Sequence, residues 1–308
     1  MRIITRQYTM QLYPPEHYSD AANGFRQIST RPLASAMGAQ ILGIDLGNLS
    51  DEQFDEIRSA LFHYKMIYFR DQNISLGDQE NLTLRFGPFG TDAYTRGIEG
   101  HPNMQKLVKE ATTVVSRVFG DGWHTDSPFL PRPPAISMLY GVDVPPWGGD
   151  TWWSNTELAY EHLSELMKKL LQGLKVHMSA REVIRNVVET SDKGQQVGEI
   201  NLSMDQQRMV EGSYHPIVRT HPGTGKKSLY VDQAYSMGIQ GLSEDEARGI
   251  LSFLQRHITR EEFMCRLHWE RNTFVIWDNR ICVHKAFNDY DGYRREMYRT
   301  IVDGEIPC

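Results

Sequence analysis

The sequence predicts a mainly β fold with flanking helices, arranged as a double-stranded β-helix (jelly-roll, cupin-like) sandwich. Three observations carry that expectation. Strand-like runs dominate the middle and the end of the chain, at 135–141, 229–232, 273–277 and 297–302. Helices are few, and most open on a local capping signature. The best candidate ligands for a metal lie so far apart that only a folded sheet could bring them together.

Residues 1 to about 30 are mixed, contain Pro14-Pro15 and read as a loose arm. The remainder, 31–308, reads as one domain that starts with a strand pair at about 33–46. Ser50-Asp51-Glu52-Gln53 is a capping box opening a helix to about Tyr64. Its apolar Phe54, Ile57 and Leu61 recur at helical spacing. Residues 66–69 read as a buried strand and 76–86 as a second short helix. Ser154-Asn155-Thr156-Glu157 is another capping box. It predicts a helix through about Leu171, with Leu158, Leu163, Met167 and Leu170 on or near one face. Ser243-Glu244-Asp245-Glu246 opens a third, through about His257. Residues 179–212 are polar and poor in aromatics and read as either a floppy insertion or an active-site lid that orders over substrate, since a long insertion beside a site is often functional.

Composition bounds the class. Apolar residues make up 40% and charged residues 23% of 308, which allows a sizeable core and excludes gross disorder. A net charge of −6 with no basic run gives no reason to expect nucleic acid or a membrane surface as partner. Neither an apolar leader nor a run of about 18 apolar residues occurs, so no span is expected. Cys265, Cys282 and Cys308 are odd in number and form no CxxC motif. A disulfide framework is not expected, and a reducing, cytoplasmic compartment is. Cys282 reads as a small core residue.

The chemistry concentrates in His124, Asp126 and His284. Trp123-His124-Thr125-Asp126 places an imidazole and a carboxylate at i and i+2, on one face of an extended strand. His284 follows 158 residues after Asp126 (284 − 126). Two neutral nitrogens and one carboxylate on one face of an octahedral ferrous ion leave three positions open, the arrangement of non-haem Fe(II) oxygenases. Arg295 and Arg299 come next and share strand parity. A buried guanidinium needs an anion, and its planar fork suits a carboxylate. Triad and arginines together suggest an iron enzyme with a dicarboxylate cosubstrate.

The chain resembles the taurine dioxygenase (TauD/TfdA-like) family of Fe(II)/2-oxoglutarate-dependent dioxygenases. The matching segments run from about residue 30 to the end. They include Met37–Leu46, Met66–Gln72, Arg85-Phe86-Gly87-Pro88, Trp123–Asp126, Gly148-Gly149-Asp150-Thr151, Val218–Pro222, Trp277–His284, Asn288-Asp289-Tyr290 and the Arg295/Arg299 pair. The resemblance implies His124, Asp126 and His284 as iron ligands. It implies Thr151 and Arg295 as the pair on the distal carboxylate of 2-oxoglutarate, and Arg299 as the arginine that binds the anionic group of the prime substrate. Tyr235, Asp92, Tyr94 and Phe119 fall near the substrate pocket. The implied reaction hydroxylates an unactivated C–H of a small, anionic organic substrate with Fe(II), 2-oxoglutarate and O2, releasing succinate and CO2. A homodimer or homotetramer is the common assembly of such relatives. Two positions depart from the taurine-oxidising pattern. Asp92 stands where those members carry a histidine, and Gly120 where they carry an asparagine. Both argue against taurine as substrate.

Other readings stay open at this point. Desaturation or ring formation on the same site is an alternative outcome, whereas Asp126 argues against halogenation. A zinc hydrolase or isomerase would have no use for a dicarboxylate clamp. A non-catalytic metal-binding relative would have no reason to keep triad and clamp together. Trp123 and Trp277 read as packing residues and His221 as a structural hydrogen-bonder.

Overall fold

The computed structural model describes residues 12–113, 120–192 and 205–308. Phe119 and the middle of the 179–212 segment lie outside the described residues.

Two of the three expected capping boxes form, at Ser50 and Ser243, and a further one forms at Ser75. Ser50 and Gln53, Ser75 and Asp78, and Ser243 and Glu246 each exchange reciprocal cap bonds. They open helices Asp51–Tyr64, Leu76–Phe86 and Glu244–Ile258. The Ser154 box does not form. Ser154 belongs to the strand Thr151–Asn155, and its hydroxyl donates to Ile258 O. Asn155 caps instead, accepting from Leu158 N at 2.9 Å. The expected single helix is two, Thr156–Glu161 and Glu165–Leu171, because Ser164 supplies a second cap. Leu170 on the second is 53% exposed, off the expected core face.

Strands build most of the interior. The largest sheet runs, in spatial order, Ser29–Pro32, Ala39–Leu42, Met66–Phe69, Thr273–Asp278, Ile136–Asp143, Arg295–Val302, His101–Lys109 and Gly97–Ile98. Ala39–Leu42 and Met66–Phe69 pair in parallel, and the other neighbours are antiparallel. The first strand pair starts earlier than expected, and residues 33–38 form its turn. In a second sheet Thr151–Asn155 lies between Met264–Leu267 and Cys282–Ala286. A third has Lys175–Met178 between Ser236–Ile239 and Ser213–Pro216. Val218–Thr220 pairs with Lys227–Leu229.

Strand parity explains the layering. Ile67, Phe69, Phe274 and Ile276 pack with Phe54, Ile57 and Leu61 of the first long helix. Their neighbours Met66, Tyr68, Val275 and Trp277 point the other way, onto Trp153, Cys265, Leu267 and Trp269 around the second sheet. These strands are covered on both faces, which is why they read as continuous apolar runs. Residues 12–28, within the stretch read as a loose arm, carry a 3-10 turn at Pro15–Tyr18 and a short helix at Asp20–Asn23. Phe25 and Ile28 are buried, and the Glu56 carboxylate accepts from the backbone of Arg26, Gln27 and Ile28. This part of the stretch is packed, because apolar side chains reach the core and a helix carboxylate holds the backbone.

Candidate active site

His124 and His284 face each other across an antiparallel bridge. His124 N donates to His284 O at 3.0 Å, and His284 N to His124 O at 2.7 Å. Directly opposed side chains lie close together, and the two ring centroids are 4.2 Å apart. The 124–126 segment is otherwise irregular rather than a regular strand, with Ser127 at φ 41°. It is still extended enough to turn Asp126 to the same side. His124 Nε2 and His284 Nε2 lie 3.8 and 3.7 Å from Asp126 Oδ1. Two ligands at about 2.1 Å from one ion can be no more than about 4.2 Å apart, so both separations allow a shared cation.

The protonation states fit as well. His124 Nδ1 lies 2.7 Å from Gly122 O, which can only accept. Nδ1 therefore carries the proton, and Nε2 keeps its lone pair for a metal. Burial lowers the pKa of both imidazoles, that of His284 to about 3. Burial works against the Asp126 charge, but His284, Arg299, His124 and the Ser137 bond outweigh it and hold the carboxyl below its usual range. Neutral imidazoles beside a carboxylate are a donor set for a divalent metal. Gly120 makes room for the His124 ring: at φ 83°, an added Cβ would meet His124 Cε1 at 3.1 Å. The Asn-to-Gly departure is thus tied to how closely this backbone approaches the ligand ring.

Thr151 and Arg295 meet over Trp269, which sequence reading missed. Trp269 Nε1 donates to Thr151 Oγ1 at 3.0 Å, and the Arg295 guanidinium lies 5.6 Å from the Trp269 ring. An indole N–H only donates, so the threonine hydroxyl accepts there and keeps its own proton for another acceptor. Arg295 Nε is buried with no hydrogen-bond partner among the described residues, and burial lowers the guanidinium pKa. A cation in that condition is a receptor for an anion. The loops behind the pair interlock. Gly149 N donates to Asp289 Oδ1 at 2.7 Å, and a Cβ on Gly148 would sit 2.6 Å from Asp289 O. The Gly-Gly turn before Thr151 is thereby fixed against the loop that leads to Arg295.

Arg299 lies beside the triad, with Nη1 3.6 Å from Asp126 Oδ1. Its Nη2 is ion-paired to Asp92. The resemblance gave these residues separate places at the substrate; the structure joins them. Asp92 Oδ1 accepts from Tyr94 N, Thr95 N and Thr95 Oγ1. Tyr94 OH donates to Tyr235 OH at 2.9 Å, and the Tyr235 ring is 6.4 Å from that of His124. Phe129, not anticipated, packs against both tyrosines. His221 is the structural residue expected: Nδ1 accepts from Gly223 N and Thr224 N, so Nε2 donates to Asp278 Oδ2. Trp277 and Cys282 are core residues. No helix among the described residues is long and apolar enough to cross a membrane.

Comparison with known proteins bears on this geometry. An alkylsulfatase of Acinetobacter baylyi is 33% identical over 290 residues, covering 92% of this chain and 87% of its own. An alpha-ketoglutarate-dependent sulfate ester dioxygenase of Pseudomonas putida is 29% identical over 293 residues, covering 91% of each. The crystal structure of a taurine dioxygenase from Burkholderia xenovorans superposes with a TM-score of 0.75 at 30% identity, over 92% of this chain and 91% of that one. The model of the taurine catabolism dioxygenase TauD, TfdA family matches residues 29–301. The chain belongs to this family. Like other TauD/TfdA proteins it is a 2-oxoglutarate-dependent dioxygenase, with Fe(II), 2-oxoglutarate and O2 as its cofactor and cosubstrates. His124, Asp126 and His284 form the one three-residue group among the described residues able to hold a metal.

Proposed function

We propose that this enzyme hydroxylates an unactivated C–H of a small organic substrate bearing an anionic group, with each residue in the role the resemblance implies. His124, Asp126 and His284 hold the iron. Arg295 and the Thr151 hydroxyl hold the distal carboxylate of 2-oxoglutarate. The observation that carries this reading is the buried, unsatisfied Arg295 Nε beside a threonine whose proton is free to donate. A zinc hydrolase would have no use for that receptor.

Iron and 2-oxoglutarate, when bound, turn O2 into the oxidant: one oxygen atom enters succinate as CO2 is lost, and the other enters the substrate C–H. The protein supplies position and dryness. Trp269 orients the Thr151 hydroxyl, so the cosubstrate tail meets a preset donor. Tyr94, Tyr235 and Phe129 wall the space beside His124 and keep water from the reacting carbon. Arg299 is the substrate anchor in this reading, and Asp92 is its partner. The described ends of the segment expected to form a lid, 179–186 and 205–212, flank the same side of the core. Ile184 and Met209 pack in the core cluster that also holds Phe129 and Tyr235.

The wider fold reading is a double-stranded β-helix, supported by a large sheet facing a smaller one with the metal ligands at their junction. Three free thiols are in keeping with a cytoplasmic setting, and homo-oligomers with the resemblance.

The test is anaerobic titration of metal-free protein with Fe(II) and 2-oxoglutarate. A weak visible charge-transfer band should appear, vanish in His124→Ala and weaken in Arg295→Ala. Iron binding without the band would overturn the clamp.

A further inference from the structure

We propose that Gln105 selects the prime substrate, accepting a hydrogen bond from a hydroxyl carried close to the anionic group that Arg299 holds. This rests on the reading above and refines it. Gln105 lies on the strand His101–Lys109, which pairs with the strand that carries both arginines. The register sets Gln105 opposite Arg299, Leu107 opposite Met297 and Lys109 opposite Arg295. Side chains directly opposed in an antiparallel pair leave the sheet on the same face. Met297 and Leu107 pack with Trp277, whose ring is 4.9 Å from that of His284, so this is the face turned to the metal ligands. The other parity points away: Lys106 pairs with Glu296, which also accepts from Tyr298 OH.

Gln105 is the open member of its row. Leu107 is apolar, and Lys109 Nζ already donates to Asn288 Oδ1 at 2.7 Å and Asp291 Oδ1 at 2.6 Å. Gln105 is 3% exposed, and its Oε1 has no hydrogen-bond partner among the described residues. The amide has one sensible orientation. Its Nε2 lies 3.2 Å from Asn103 O, which can only accept, so the nitrogen belongs at that end and the oxygen at the other.

A buried carbonyl oxygen without a donor is costly, and the cost is relieved by whatever brings one. The oxygens of a carboxylate, sulfonate or sulfate cannot, since they only accept and are repelled by another acceptor; they belong on Arg299. A methylene placed against Oε1 would shut out water and leave the oxygen unpaired. A hydroxyl supplies the missing proton without bringing a further charge into the site. It must lie near the anionic group, because opposed residues hold their Cβ atoms only about 5 Å apart. A site that keeps a buried acceptor for a substrate hydroxyl discriminates against the analogue that lacks it, because the acceptor is then left unpaired.

Calorimetry on anaerobic protein loaded with Fe(II) and 2-oxoglutarate tests this, with hexanoate, both enantiomers of 3-hydroxyhexanoate, and 3-methoxyhexanoate as probes. The methoxy acid keeps the extra oxygen and lacks the proton. Wild type should bind one enantiomer of the hydroxy acid about tenfold more tightly than hexanoate or the methoxy acid. Gln105→Leu keeps the bulk and removes the acceptor. It should abolish that preference, weakening the hydroxy acid by about tenfold while the charge-transfer band shows the cofactors still in place. Equal or tighter binding of hexanoate or the methoxy acid by wild type overturns the proposal. So does a preference that survives in folded Gln105→Leu. Should that variant not fold, the wild-type order alone decides. Binding of none of these acids with the band intact would sink the anionic-substrate reading, and selection by Gln105 with it. Absence of the band from wild type would instead mark failure of the cofactor reading beneath both.

Discussion

Ser137 Oγ donates to Asp126 Oδ2 at 2.5 Å, and every bond behind it has one possible direction. Trp277 Nε1 only donates, so the oxygen of Asn279 faces it, at 2.9 Å. The Asn279 amide nitrogen therefore faces Ser137 Oγ, at 2.8 Å, and the serine proton is left for Asp126. Oδ2 is thus occupied, and Oδ1 is the oxygen presented to both histidines.

Ser137→Ala removes the donor and frees the carboxylate to rotate. Fe(II) affinity should fall by about 10- to 100-fold, as for other lost partners of metal ligands. The metal-free protein should lose only about 1 kcal/mol of stability. Anaerobic calorimetry and urea unfolding would check the two separately; equal Fe(II) affinity would remove Ser137 from the positioning chain.

Arg295→Ala removes the cation proposed for the cosubstrate tail. Losing a charge-assisted pair worth about 3 kcal/mol corresponds to about 100-fold in 2-oxoglutarate affinity. Thr151→Val should cost about tenfold on the same scale. Fe(II) binding should be unchanged in both, which titration of metal alone, then of cosubstrate, would establish.

Gly148→Ala tests the interlocked loops. The residue is at φ 71°, and its new Cβ would press on Asp289 O. A loss of about 1–3 kcal/mol in stability is expected, with weaker 2-oxoglutarate binding as Thr151 shifts. Urea unfolding and the charge-transfer titration would show both; a variant as stable as wild type would mean the loops separate readily.

Asp232 makes stability depend on pH. Its carboxylate accepts from Tyr235 N and Thr125 N, yet burial pushes its pKa up to about 7. The folded state binds the proton more tightly than the unfolded chain, whose carboxyl titrates near 4. Its stabilising contribution is therefore full below pH 4, falls as pH rises to about 7, and is level above. The change approaches roughly 4 kcal/mol at most for three pKa units. Urea unfolding of wild type and Asp232→Asn from pH 4 to 8 should show the wild type losing stability relative to the variant as pH rises.

Much of this was legible from residue order. Capping boxes are local, so Ser50 and Ser243 mark helices that form, and strand parity puts Arg295 and Arg299 on one side. Other features were hidden for physical reasons. Ser154 and Asn155 both suit an N-cap, and only the strand they end decides between them. Trp269 and Ser137 carry no motif; Trp269 matters through Thr151, 118 positions away, and Ser137 through Asp126 and Asn279, 11 and 142 positions away. The Asp92–Arg299 pair spans 207 positions, and no periodicity announces a contact of that kind.

The ladders that hold Thr151 and His284 in register also separate what can change from what cannot. Ala286 opposes Thr151 and Trp153 opposes His284 on one pair of strands, so a slip there would disorder metal and cosubstrate together. Asp92, Tyr94 and Tyr235 lie on connecting segments outside every ladder. If the proposed substrate roles of those three positions hold, substitutions there would redirect the enzyme to new compounds while its oxidising machinery is inherited intact. A lineage built this way can diversify its diet one loop residue at a time.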